Sequence, residues 1–551
     1  MSAFPLPRPT SSRLTGAMAA AALAALALTS CAGDSDSGTS ELQQTYAEHP
    51  VDEEVELDLA GVGLTEVSHA LTEEEVTSEE LVGAYTERIE ALDQSGPALN
   101  AVRMLNPDAV EEAETLDAER EDGELRGPLH GVPVLIKDNI DVGGLPTTAG
   151  STALADSVPE DDAALVESLR EAGAIVLGKT NLSEFAYFMS SDAPAGYSSL
   201  GGQTLNPYDV TESPSGSSSG SGVAASVGLA AATVGTETSG SILLPAESNS
   251  VVGHKPTVGL ISQEGMLPVS STQDTAGPMT RSVEDAALLA SVMTGPDAEL
   301  DPGELAESVE GASLEGVRLG YLPSQHEAED DGEDGQDGDP AGVAVYEDAL
   351  QVLEDQGAEL VEVDPLGATE ADDILLSEFG RDLDEYLAQL PGDAPMGSLE
   401  EIIAYNEENS EAALKFGQGL LEEAAGFDLD DPAESAAYET DREEGLEQSR
   451  SSIDGTLEEE DLDAIVSDGS TVGLGARAAY PTVSVPSGYL DPGTQPASLM
   501  FLGTEWSDAD LLGYAHSFEQ AADVWQSPAE ANPSLFRCTM DAVDSLPDAC
   551  P

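Results

Sequence analysis

The chain has 551 residues, with 108 Asp plus Glu against 18 Lys plus Arg and a formal net charge of −90. That balance excludes a nucleic-acid partner, because phosphate binding needs clustered Lys and Arg. The length allows two or three domains or one large α/β unit. Carboxylates this dense repel one another in dilute buffer and are screened near 1 M salt, where the Debye length is about 3 Å, so the composition predicts a salt-adapted protein.

At the N-terminus, Arg8 and Arg13 precede the apolar run GAMAAAALAALALTS. The run is too short to span a bilayer as a mature helix and has the shape of a secretory signal peptide. It ends in Leu28, Thr29, Ser30 and Cys31, which resemble a bacterial lipobox. The resemblance implies a signal peptide over residues 1–30 and a lipidated Cys31 as the new N-terminus. Residues 31–50 are small and polar, as a flexible tether should be. The expectation is a lipoprotein held outside the cytoplasm by a lipid anchor, with each buried CH₂ contributing roughly 0.8 kcal/mol.

A folded domain is expected over residues 51–530. TSEELVGAYTERIEALD opens with a capping-box pattern, Thr77 with Glu80, and puts Leu81, Tyr85, Ile89 and Leu92 on one helical face. Eight apolar runs read as strands: VPVLI at 132, AIVLG at 174, ATVGT at 232, VRLGYL at 317, ELVEV at 359, AIVSD at 464, TVSV at 482 and SLMFLG at 498. Helical stretches such as DDAALVESLREAG and VEDAALLASVM lie between many of them. This alternation predicts an α/β fold with a buried sheet covered by helices on both faces.

HEAEDDGEDGQDGDP, residues 326–340, fails the spacing of a calcium-binding loop and reads as a solvated surface insertion. Residues 370–460 read as helical and very acidic. In the tail, 531–551, an oxidising compartment favours a disulfide between Cys538 and Cys550. That leaves no cysteine for catalysis or a metal.

Residues 213–225, SPSGSSSGSGVAA, look like a linker yet feed into a helix of small residues. GSSSG within them formally matches G-x-S-x-G with Ser218 at its centre. A nucleophile elbow needs a strand immediately before the serine and a histidine partner. TLNPYDVTESPS is no strand, and His254, His326 and His516 have no suggestive setting.

A second block, GTETSGSILLPAESNSVVGHKPTVGL at 235–260, changes the picture. With the serine–glycine turn, LHGVPVLIKDNIDVGGLPTTAGS upstream, and TQDTAGPMTRSVEDAALL and AAYPTVSVPSGYLD downstream, it resembles the amidase signature family over residues 65–525. The resemblance implies one large domain around a central mixed sheet, and hydrolysis of amides by a Ser-Ser-Lys triad without a cofactor or metal. By motif position the lysine is Lys137, the bridging serine with a cis peptide bond is Ser217, and the nucleophile is Ser241. Backbone N–H groups of Thr238, Ser239, Gly240 and Ser241 would form the oxyanion hole, and Ser218 and Thr236 would hydrogen-bond around the triad. The motifs look closest to the peptide amidase branch, which deamidates C-terminal carboxamides. Ser215 and Ser219 stand where many members carry glycine, Ser239 where glycine or aspartate is frequent, and SILLP replaces SIRxP.

The chemistry is self-consistent. A serine hydroxyl needs a base to take its proton, and lysine can be that base only when burial keeps it neutral. Only four lysines exist, Lys137, Lys179, Lys255 and Lys415, and three lie in or near the signature region. The expected partner is a small-molecule or peptide amide. Two alternatives stand beside it at this point: a catalytically silent, surface-anchored binding lipoprotein, and a hydrolase using Ser218. The oligomeric state is not indicated.

Overall fold

The computed structural model describes residues 57–326, 339–367, 372–392, 394–429, 431–490 and 494–536. Cys31, Cys538, Cys550 and most of the acidic insertion lie outside them.

Thr77 opens the helix Ser78–Arg88 as its spacing to Glu80 predicts. Its hydroxyl accepts from Glu80 N–H, and the Glu80 carboxylate accepts from Thr77 N–H. Leu81, Tyr85, Ile89 and Leu92 form one buried face.

Among the described residues thirteen strands follow in chain order. They are β1 (Val102–Leu105), β2 (Pro133–Lys137), β3 (Ile175–Thr180), β4 (Tyr197–Ser198), β5 (Gly202–Gln203), β6 (Ala232–Glu237), β7 (Val252–Lys255), β8 (Thr275–Thr280), β9 (Arg318–Tyr321), β10 (Glu359–Glu362), β11 (Ala464–Ser467), β12 (Thr482–Leu490) and β13 (Gln495–Leu502). β4 and β5 pair by themselves, and the other eleven form one sheet in the order β1-β3-β2-β6-β8-β7-β12-β13-β11-β9-β10. β2 runs parallel to both β3 and β6, and β9 parallel to both β10 and β11; the remaining pairs are antiparallel. The sheet is therefore mixed, and helices cover it.

All eight predicted strands are present. The parallel pairing of β2 with β6, Ile136 opposite Val234, brings Lys137 and Thr236 together at the carboxyl ends of two neighbouring interior strands. Those strand ends hold the candidate site.

The acidic region past residue 370 is helical, ending in the 29-residue helix Pro432–Glu460. Packing continues six residues beyond the expected boundary at 530, because Phe536 is buried against the first half of the sheet. His326 O accepts from Asp339 N–H at 2.9 Å. Among the described residues no helix is long and apolar enough to cross a membrane.

Candidate active site

The serine–glycine stretch is no linker. Residues 219–226 form a helix, Ser219–Ser226, in which every residue is buried. Small side chains are required there: a Cβ at Gly220 would sit 2.3 Å from Ala101 O and 2.4 Å from Asn181 O. The turn before the helix carries Ser217, whose peptide bond with Gly216 is cis.

Lys137, at the end of β2, lies fully buried and donates from Nζ to Ser217 Oγ at 2.8 Å. Nζ also donates to Thr236 Oγ1 at 2.8 Å and Thr236 O at 3.2 Å. These three acceptors match the three protons of an ammonium; a neutral amine keeps two N–H donors for Thr236 and turns its lone pair to Ser217. Burial pushes Lys137 down from 10.5 to about 7, against the opposing pull of the Asp274 and Glu237 carboxylates. Asn139 Nδ2 donates to Thr236 Oγ1 at 3.1 Å and so fixes that hydroxyl.

Ser218 braces the turn. Its hydroxyl donates to Thr236 O (3.0 Å) and accepts from Thr236 N–H (3.2 Å), and its own N–H donates to Ser241 O (3.2 Å). No strand precedes it and no histidine is among its partners, so the elbow arrangement is absent. His254 is instead buried against Asp508 at 3.0 Å.

Beyond β6 the chain turns through residues 238–242 into the helix Leu243–Ser248. Gly240 adopts φ +88° there, a left-handed conformation suited to glycine. The N–H groups of Ser239, Gly240 and Ser241 donate to no acceptor among the described residues. Ser241 is 8% exposed, whereas Ser217 and Lys137 are at 0%. Of the three residues only Ser241 keeps exposed surface, and its main chain is tied to the serine turn through Ser218 N–H donating to Ser241 O at 3.2 Å.

Both ends of this loop are pinned. Glu237 accepts from the N–H groups of Ile242 (2.7 Å) and Leu243 (3.0 Å). At the other end Thr238 Oγ1 donates to Asp274, and Gln273 Nε2 donates to Thr238 O at 3.2 Å. Asp274 is itself held by the N–H groups of Val269 (2.7 Å) and Ser270 (3.0 Å). Sequence reasoning missed Asn139, Glu237, Gln273 and Asp274. The only signal was their presence in motif blocks quoted for other reasons.

A family model described as Amidase matches residues 80–476. The chain belongs to the amidase signature family. It is similar, at 38% identity over 490 residues, to a probable amidase of Arabidopsis thaliana, covering 84% of this chain and 91% of that one. Among solved structures it resembles the peptide amidase of Stenotrophomonas maltophilia, with 40% identity and a TM-score of 0.79 over 86% of this chain and 99% of that one. An amidase family protein from Bacillus anthracis matches at 33% identity and a TM-score of 0.78, over 89% and 94% of the two chains. This amidase is a hydrolase of amide C–N bonds.

Three of its departures from the family pattern have the following local settings, and nothing in the structure explains Ser239. Ser215 sits at φ +56°, where glycine is at ease, and the hydroxyl of Ser219, the other serine in a glycine position, donates to Ser215 O. Leu243, in the SILLP segment, is buried with Val472 and Met500. Lys179 donates to Ile140 O (2.6 Å) and Thr147 Oγ1 (3.2 Å), and Lys255 to Pro256 O (2.9 Å) and Tyr480 O (2.7 Å). Both amines are held in the core by oxygen acceptors, Lys179 also lying 3.4 Å from Asp138, and burial lowers both, Lys255 to about 8.

Proposed function

We propose that this amidase works through a seryl acyl-enzyme. Ser241 Oγ attacks the substrate carbonyl carbon while its proton passes to Ser217, whose own proton passes to Lys137 Nζ. The N–H groups of Thr238, Ser239, Gly240 and Ser241 receive the oxyanion, each such donor contributing about 3 to 4 kcal/mol. The Lys137 ammonium then returns the proton through Ser217 to the leaving nitrogen, the C–N bond breaks, and ammonia or an amine departs. Water repeats the sequence on the ester and releases the carboxylate.

The observation that carries this reading is the buried 2.8 Å contact of Lys137 with Ser217, set beside a loop with unused N–H donors. Lys179 and Lys255 are buried and lowered as well, so what sets Lys137 apart is its contact with Ser217 on the serine–glycine turn and not the displacement of its amine. The likeness to a peptide amidase supports C-terminal peptide amides as the substrate class. The N-terminal motif supports a lipid anchor on Cys31 and a place outside the cytoplasm.

The test is ammonia release from a panel of peptide, aliphatic and aryl amides, with fluorophosphonate labelling mapped by mass spectrometry. The expected label is on Ser241; labelling elsewhere, or none with active protein, refutes the assignment. Palmitate incorporation that survives Cys31→Ser refutes the anchor.

A further inference from the structure

Gln273, which donates to Thr238 O, also lines a cavity of about 250 Å³ together with Val258, Thr272, Arg442, Arg450 and Arg477 among others, with no carboxylate among its lining residues. We propose that it is a subsite for an anionic group, a carboxylate in the first instance, carried by the amide substrate beyond its scissile bond. The inference rests on the amidase reading of Ser241 and adds the chemistry of the substrate.

The distribution of charge is the first ground. The chain has 18 Lys and Arg in all, and three of them face this one space. A second cavity of about 370 Å³ is lined by Asp141, Glu160, Asp161, Asp162, Glu264, Asp274 and further carboxylates, and by no Lys or Arg. The two meet at consecutive residues, Gln273 on the cationic side and Asp274 on the anionic side, and both residues hold Thr238. Charge is therefore sorted across the clamp on the loop that would receive the oxyanion.

The state of the guanidinium groups is the second ground. Arg442 reaches Glu439 at 2.7 Å through Nη2, while its buried Nε has no hydrogen-bond partner. Arg450 is oriented by Ala478 O at 3.0 Å and Glu505 at 2.8 Å, and lies 5.1 Å over the Tyr480 ring. Glu439 and Glu505 are exposed; the Arg442–Glu439 contact is weak in water and leaves Arg442 donors for a ligand, whereas Arg450 grips Glu505 through both Nη1 (3.4 Å) and Nη2 (2.8 Å) and serves mainly as fixed positive charge. Guanidinium forks match carboxylate geometry. A chain at −90 repels anions at long range, so a local cluster of this kind is what retains an anionic substrate, and salt screens the repulsion more than it does a close contact.

The test compares the monoamides of succinic and glutaric acid with their neutral methyl esters, by ammonia release in 1 M NaCl. It also measures how strongly succinate and glutarate slow fluorophosphonate labelling of Ser241, relative to their dimethyl esters. The full-length protein should favour the acids at least tenfold in kcat/KM, and Arg442→Gln with Arg477→Gln should shrink that ratio at least fivefold. Protection by the dicarboxylates should weaken in parallel, with labelling of the unprotected variant showing that it is folded. A ratio near one, or one the substitutions leave alone, overturns the subsite while the amidase reading stands. Absence of Ser241 labelling in the unsubstituted protein overturns that reading itself.

Discussion

The pH dependence of turnover tests the role of Lys137 most directly. A displacement from 10.5 to about 7 corresponds to roughly 5 kcal/mol set against the ammonium form by burial. If the neutral amine is the base, kcat/KM is nearly level above about pH 8, is about half its plateau at pH 7, and falls to about a tenth at pH 6 and about a hundredth at pH 5. Asp274, pushed up to about 6 by burial, titrates in the same range, so Asp274→Asn separates the two. Removing that carboxylate takes away a charge that favours the ammonium, and the acid limb should move to lower pH. Ammonia release between pH 5 and 10 at fixed ionic strength measures this. A limb that disappears in Asp274→Asn, or a rise continuing to pH 10 as a solvated lysine requires, refutes the reasoning. Stability carries the same signature. Between about pH 7 and 10.5 the unfolded chain binds a proton on this amine that the folded chain does not, so folding gains with rising pH. Lys137→Met should flatten that gain relative to the unsubstituted protein in denaturant titrations at pH 7 and 9.

Ser241→Ala should abolish amide hydrolysis and probe labelling, whereas Ser218→Ala, which loosens two hydrogen bonds to Thr236, should slow turnover about tenfold without abolishing labelling; the reverse pattern in a kinetic assay refutes the assignment of roles. Ser215→Gly should stabilise the fold by about 1 kcal/mol, since a left-handed residue is relieved, and an unchanged denaturation midpoint refutes this. The melting temperature should rise from low salt to multimolar NaCl, because the carboxylate repulsion is screened; a fall refutes salt adaptation.

Legibility in the sequence followed local chemistry. Runs such as VPVLI and AIVSD are strands because β-branched and aliphatic residues fit a doubly covered sheet. β7 and β8 escaped notice because VGHK and TAGPMT carry glycine, a lysine and a proline, which rarely mark an interior strand. Their pairing is imposed by neighbours: Pro278 lies opposite Val234 of β6, and Val252 opposite Thr280. The same explanation covers the site. Lys137, Ser217 and Ser241 stand in motif blocks, but the clamp on Thr238 forms only when β8 delivers Gln273 and Asp274 from 35 positions or more away. No local pattern encodes that meeting.

Three of the four lysines are enclosed, and Lys415 alone is exposed, its Nζ 4.7 Å from the centre of the Tyr197 ring. Amine-directed reagents therefore find a single side-chain address on the folded protein. A support or fluorophore attached through that amine holds every molecule in one orientation, which lysine-rich enzymes do not allow.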